Sequence, residues 1–328
     1  MRILITGAAG FIGAALARVL LDRGDTVLGI DNLNDYYDPQ LKRDRLTTLA
    51  GDRFEFAHVD FSDRSALDAA MTGQDFDSIV HLGAQAGVRY SIENPRAYVQ
   101  SNLVGHMEML ELARTRKVPM VYASSSSVYG GNTNLPFRVE DRVDRPLSLY
   151  AATKKSDELM SETYAHLYRL PLTGLRFFTV YGPWGRPDMA MWMFADNILR
   201  GLPISVFNNG AMRRDFTYID DIISGVVACI DNPPPDDGVT KPGGSIAPHR
   251  LYNIGNNRSE ELMRMIELLE TACGKKAILA FKPMQDGDVH ETFADITAIG
   301  TDLGYTPTTP IEVGVPAFVS WFRNYRKV

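Results

Sequence analysis

Ile3-Leu4-Ile5-Thr6-Gly7-Ala8-Ala9-Gly10-Phe11-Ile12-Gly13 runs a short apolar strand straight into three evenly spaced glycines, and residues 14–21 continue as a helix-forming run. Glycine at those places removes the Cβ atoms where a chain must turn tightly, approach a pyrophosphate and let a helix pack on a strand. The helix N-terminus then offers unpaired amide N–H groups and the positive end of its dipole to an anion. The stretch predicts a strand–turn–helix unit that holds a dinucleotide, with Gly7, Gly10, Phe11, Ile12 and Gly13 in contact with it.

A glycine pattern alone also suits a structural turn, so its surroundings decide. A second apolar run, 26–30, ends at Asp31, where a strand-end carboxylate can accept both hydroxyls of an adenosine ribose. That carboxylate repels a 2′-phosphate, and Asn32 and Leu33 follow rather than an arginine, so NAD is expected over NADP.

Further apolar runs at 54–59, 78–81, 120–123 and 172–178 are separated by helical stretches, which makes six candidate strands. Alternation of this kind predicts an α/β fold, a Rossmann-type doubly wound parallel sheet whose ligands bind beyond the strands' carboxyl ends. After about residue 180 glycine and proline break the rhythm. Residues 1–180 are therefore read as the NAD-binding domain and 181–328 as a smaller substrate-capping lobe, with a segment near 215–253 a candidate to pack back on the sheet.

The 328 residues are 45% hydrophobic and 23% charged, with a net charge of −6, which gives no pull toward nucleic acid or an anionic membrane. A phosphorylated ligand must then be met by local arginines. Cys229 and Cys273 form no disulfide framework, the six histidines are scattered, and no metal is expected. No apolar run is long enough for a membrane span, and the start of the chain is too short and glycine-broken for a signal peptide. A cytoplasmic protein is expected.

Tyr150-Ala-Ala-Thr-Lys154 places a phenol and an ammonium four residues apart, on one helical face. A phenol is a poor base at neutral pH, but a neighbouring cation favours the phenolate, so Tyr150 can serve as general base while Lys154 also holds the nicotinamide ribose. Upstream, Val121-Tyr122-Ala123-Ser124-Ser125-Ser126-Ser127-Val128-Tyr129-Gly130 brings hydroxyls to a strand end, where one can relay a proton from the reacting oxygen.

With these motifs in hand, the chain resembles an extended short-chain dehydrogenase/reductase of the nucleotide-sugar epimerase branch. The likeness spans nearly the whole length, through Asp60, His81-Leu82-Gly83-Ala84-Gln85-Ala86, Asn102, the serine strand, the Tyr-Lys pair and Arg176-Phe177-Phe178. Residues 81–91, 176–183 and Arg214-Asp215-Phe216-Thr217-Tyr218 are most similar to UDP-glucuronate 4-epimerases. The resemblance implies Asn32, Asp60, Phe61, Leu82, Ala84, Gln85, Asn102 and Phe177 as further cofactor contacts. It implies Ser125 as the catalytic hydroxyl, with Ser126 and Ser127 still open. It also implies Arg214 for the diphosphate, and Phe207 with Gln285-Asp286-Gly287-Asp288 for the uridine. Arg186, in Gly185-Arg186-Pro187-Asp188, is the candidate for a sugar carboxylate, helped by Thr179 and the serines; Arg89 is expected near the uridine diphosphate.

Related dehydratases place acids after the catalytic hydroxyl, where this chain has Ser126 and Ser127, so the C5–C6 acid/base pair of a dehydratase is missing. The expected reaction is NAD-dependent epimerisation at C4 of UDP-glucuronate to UDP-galacturonate through a transient 4-keto sugar. The alternatives are a UDP-glucose/UDP-galactose 4-epimerase, a UDP-glucuronate decarboxylase and a noncatalytic NAD-sensing module. The resemblance further implies a homodimer joined through helices near 98–114 and 148–168.

Overall fold

A computed structural model describes residues 1–285 and 288–328. Its centre is a seven-stranded sheet in the order β3-β2-β1-β4-β5-β6-β10, parallel throughout. The strands are β1 (Arg2–Thr6), β2 (Thr26–Asp31), β3 (Phe54–His58), β4 (Ser78–His81), β5 (Met120–Ser125), β6 (Leu172–Phe177) and β10 (His249–Ile254). Between β6 and β10 in the chain lie β7 (Thr179–Tyr181), β8 (Pro203–Val206) and β9 (Arg213–Tyr218); β11 (Ser259–Glu261) and β12 (Ile278–Phe281) follow. Residues from the central strands are buried on both faces, which is why they read as unbroken apolar runs: Ile3, Leu4, Ile5, Ile79 and Val80 are fully enclosed.

The six expected strands are all present, and β10 adds a seventh at the edge beside β6. The helix Ile219–Asp231 lies against the helix Phe11–Arg23, with Ile222, Ile223 and Val226 in the same apolar cluster as Leu16, Ala17 and Leu20. A second cluster fills the opposite face of the sheet.

Strands β7, β9 and β11 form a small sheet, and β8 pairs with β12. Around them the helices Ala190–Arg200, Leu262–Cys273 and Ile311–Arg326 close a separate core on Trp192, Met265, Phe318 and Phe322. Strand order reverses between β1 and β4, and there the carboxyl ends of neighbouring strands diverge and open a crevice. No helix among the described residues is long and apolar enough to cross a membrane.

Candidate active site

The turn after β1 is shaped by what its glycines lack. A Cβ at Gly13 would lie 2.1 Å from the Gly7 carbonyl oxygen, and one at Gly7, where φ is +69°, would lie 2.8 Å from the Gly83 nitrogen. The backbone thus folds into a tight cradle ending at the first turn of the helix Phe11–Arg23, whose Gly10 cap has no side chain to occupy the amides. Across the cradle, Asp31 accepts from the amides of Ala9 (3.2 Å) and Leu33 (2.8 Å), which fixes a carboxylate at the end of β2. Open amides for a pyrophosphate and a held acceptor for ribose hydroxyls suit a dinucleotide.

Two cavities, of about 250 and 760 Å3, adjoin here and share Tyr36, Val180, Arg186 and Met189 in their walls. The first is lined by Gly7, Gly10, Phe11, Ile12, Gly13, Asp31, Asn32, Phe61, Leu82, Ala84, Gln85 and Phe177, together with Ser125, Tyr150 and Lys154. Asp60 and Asn102 stand behind that wall. Asp60 accepts from Asn32 Nδ2 at 3.0 Å, while Asn102 braces Gln85 through both amide atoms and reaches Thr153 on the helix that carries Tyr150.

That helix, Leu149–Tyr168, starts where the Ser148 hydroxyl accepts from the Ala151 amide at 3.1 Å. Tyr150 lies in its first turn, edge-on to the Tyr98 ring. Lys154 is almost fully buried and donates to the Ala123 carbonyl (2.9 Å) and Asp157 Oδ2 (3.0 Å), which leaves one of three ammonium N–H bonds for the cavity. Ser125 caps the short 3-10 helix Ser126–Tyr129, accepting from Ser127 N (3.2 Å) and Ser127 Oγ (2.9 Å). Its oxygen is thereby fixed as an acceptor, and its own proton is free to be given elsewhere. Ser124 is spent on Glu158, and Ser126 and Ser127 line neither cavity.

The second cavity is lined by Arg89, Thr179, Arg186, Phe207, Arg214 and Asp288. Arg89 lies 5.2 Å from the Phe207 ring centre and pairs with Asp288 at 3.2 Å. Burial pulls the Arg214 guanidinium below its usual range; Asp288 opposes this and the nearby positive Arg89 adds to it. An anion entering between the two arginines would relieve both. Gln285 lines neither cavity, and Asp286 and Gly287 lie outside the described residues.

Four residues of these walls and of the loop beside them went unread in the sequence: Tyr36, Lys42, Arg45 and Asp188. Lys42 borders the cofactor cavity near Asp31 but donates to Asn34 O (2.8 Å) and Asn34 Oδ1 (2.9 Å). Asp188 takes both Nε (3.0 Å) and Nη2 (2.5 Å) of Arg186. An Asp two residues from an Arg is the only local signal, and it is common on any surface.

A dinucleotide cradle and an acid–base hydroxyl pair opening on one cavity define the extended short-chain dehydrogenases/reductases. The NAD dependent epimerase/dehydratase family matches residues 3–255, and the chain belongs to that family. It is 47% identical to the probable UDP-glucuronate 4-epimerase of Rhizobium meliloti, over 100% of this chain and 98% of that one. Protein CapI of Staphylococcus aureus is 48% identical over the full length of both chains. Among solved structures, UDP-glucuronic acid 4-epimerase from Bacillus cereus, in complex with UDP-glucuronic acid and NAD, superposes with a TM-score of 0.86 at 34% identity, covering 99% of this chain and 100% of that one. UDP-glucose 4-epimerase from Thermotoga maritima gives 0.87 at 27% identity, covering 99% and 100%. The two fold similarities are equal in practice, so the fold does not choose between sugars and the cavity walls must.

Proposed function

We propose that the protein interconverts UDP-glucuronate and UDP-galacturonate by epimerising C4 through a transient 4-keto sugar. One observation carries the choice of sugar: the Arg186 guanidinium lies in the wall between the cofactor cavity and the larger cavity, where the C6 end of a sugar presented to Tyr150 would lie. A guanidinium fork matches a carboxylate in a way that it does not match a neutral hydroxymethyl group. The 34% identity to the Bacillus cereus enzyme, whose structure contains UDP-glucuronic acid and NAD, supports the same choice.

NAD held on the glycine cradle supplies a reversible hydride acceptor at C4. Tyr150 takes the O4 proton and later returns it, and the remaining Lys154 N–H steadies the phenolate and the nicotinamide ribose. Ser125, already accepting from Ser127, donates a hydrogen bond to O4 and keeps its proton. Arg214 and Arg89 hold the diphosphate while the sugar turns about it to present its other face, and Phe207 and Asp288 border the uridine. Thr179 and Arg186 hold the carboxylate. The proposal includes a homodimer and a cytoplasmic location, the latter supported by two buried, unpaired cysteines.

The test is incubation of the purified protein with UDP-glucuronate and, separately, with UDP-glucose, followed by separation of the products. UDP-galacturonate from the first and little change in the second is expected. Conversion of UDP-glucose alone would instead establish the neutral-sugar epimerase, a UDP-pentose the decarboxylase, and NAD binding without turnover of either substrate the sensing module.

A further inference from the structure

The segment that follows Asp31 crosses from the cofactor side to the substrate side and grips loop 182–189 at two points. The first grip is Arg45, in the helix Pro39–Thr47, which is 1% exposed. Its five N–H bonds all find oxygen: Nη1 donates to Ala9 O (3.1 Å) in the glycine turn and to Tyr37 Oη (2.7 Å). On the other side Nε and Nη2 donate to Trp184 O (3.1 and 2.6 Å), and Nη2 also to Gly185 O (3.1 Å). Trp184 is held at φ +64°, a left-handed conformation that a bulky residue seldom adopts without such support. Arg45 thus ties the backbone before Arg186 to the cradle itself.

The second grip is Tyr36. Its hydroxyl donates to Asp188 Oδ2 at 3.1 Å, and burial beside that carboxylate raises the phenol to about 12, which keeps it a donor. Gly87 makes room, since a Cβ there would lie 2.5 Å from the Tyr36 oxygen. Asp188 in turn takes the Nε and Nη2 edge of Arg186, while Nη1 makes no hydrogen bond among the described residues. A fork held on one edge keeps its other edge, Nη1 with the second Nη2 hydrogen, free for a second carboxylate.

We propose that Tyr36 and Asp188 are positioning residues that set which product leaves the enzyme, by holding Arg186 so that the bond to the sugar carboxylate stays out of alignment with the π-system of the C4 carbonyl. The inference rests on the uronate reading above. A 4-keto uronate is a β-keto acid. If its C5–C6 bond stands perpendicular to the carbonyl plane, aligned with the π-system, that electron pair moves into the carbonyl to form an enolate and carbon dioxide. A solvent proton then quenches C5, and return of the hydride to C4 leaves a UDP-pentose. A C5–C6 bond held close to the carbonyl plane cannot follow this route, and a small loss of alignment control is enough to open it.

The test compares wild type, Asp188→Asn and Tyr36→Phe with UDP-glucuronate, measuring the ratio of UDP-pentose to UDP-galacturonate and the KM of each protein. Asp188→Asn should raise the pentose share about tenfold, and Tyr36→Phe by about threefold, because geometry at the reacting centre is what they loosen. KM should not rise in Asp188→Asn, since removing a neighbouring anion favours binding of an anionic sugar. A raised KM with an unchanged product ratio would give the two residues a merely structural role and overturn the inference. If Asp188→Asn does not fold, Tyr36→Phe, which removes one oxygen from a half-buried ring, decides alone. Wild type that leaves UDP-glucuronate untouched overturns the uronate reading and this inference together; wild type that epimerises cleanly, with variants that do the same, overturns only the inference.

Discussion

Asp157 sits where the chemistry of Tyr150 and Lys154 can be tuned. It is fully enclosed, pairs with Lys154 at 3.0 Å, and its Oδ1 has no hydrogen-bond partner among the described residues. Burial pushes this carboxyl up, to about 7, against the pull of Lys154, and Glu158 beside it adds to the rise. An ionised Asp157 therefore offsets part of the lysine's positive field, and that field is what favours a phenolate at Tyr150. Asp157→Asn keeps an oxygen for Lys154 and removes the charge. The acid limb of the kcat/KM profile should then move to lower pH by about one unit, while the plateau rate stays within about threefold. A limb that does not move would show that Asp157 has no influence on the proton transfer. The Tyr-Lys pair was legible in the sequence because a spacing of four fixes a shared helical face. The role of Asp157 was not, because an i, i+3 carboxylate is a stability device on a surface and a charge regulator only when buried, and burial is a property of the fold. Tyr36 and Asp188 meet across 152 residues, which no local pattern encodes.

At the scale of elements, the helix Leu149–Tyr168, which carries Tyr150 and Lys154, is fastened to the sheet by a buried ion pair. Glu158 takes Nε (2.8 Å) and Nη2 (3.0 Å) of Arg176 on β6, both side chains are 1% exposed, and Ser124 on β5 donates to the same carboxylate at 2.7 Å. Burial alone would raise Glu158, but the charge and hydrogen bonds of Arg176 outweigh it and hold the carboxyl near 2. With a folded value below the unfolded one, this group contributes stability that is present above about pH 4.5 and lost as pH falls toward 2. Arg176→Met reverses the sign, because Glu158, left with only Lys155 (3.0 Å) and the Ser124 hydroxyl against its burial, is relieved by protonation. The variant should lose about 3–5 kcal/mol at pH 7, and the gap to wild type in urea unfolding should narrow at pH 5. A gap that is constant with pH would remove Glu158 as its cause. Such polar fastening also explains which elements could be read in advance. Strands β1, β2, β4, β5 and β6 are mostly apolar because the sheet buries both their faces, whereas β10 is His-Arg-Leu-Tyr-Asn-Ile and yet all six residues are buried. Its polar groups are met one by one: His249 by Tyr122 and Glu162, and Asn253 by the carbonyls of Phe137 and Asp295. Partners so distant in sequence cannot be counted before the fold is known.

For the molecule as a whole, the helices Gly105–Arg116 and Leu149–Tyr168 lie side by side, joined internally by His106 and Ser161 at 2.9 Å and by Tyr164 and Glu111 at 2.6 Å. The helix Leu149–Tyr168 exposes Leu159 (58%), Leu167 (61%) and, at its end, Tyr168 (49%), and Val99 (44%) lies before Gly105–Arg116 in the π-helical turn Val99–Val104. A helix pair whose contacts with each other are already satisfied, and of which Leu149–Tyr168 still exposes large apolar side chains, suits a second copy of the same pair packed about a two-fold axis. The consequence reaches the active site, because Leu159 lies on the helix that carries Tyr150 and Lys154 in its first turns. Leu159→Asp places a charge, and by symmetry a facing like charge, at the middle of such an interface, a change that costs several kcal/mol of association. Light scattering should find wild type dimeric and Leu159→Asp monomeric at micromolar concentration, and the monomer should turn over more slowly as the helix carrying Tyr150 and Lys154 loses lateral support. A variant that remains dimeric would move the interface to another face, and a monomeric, fully active wild type would show that the helix needs no partner.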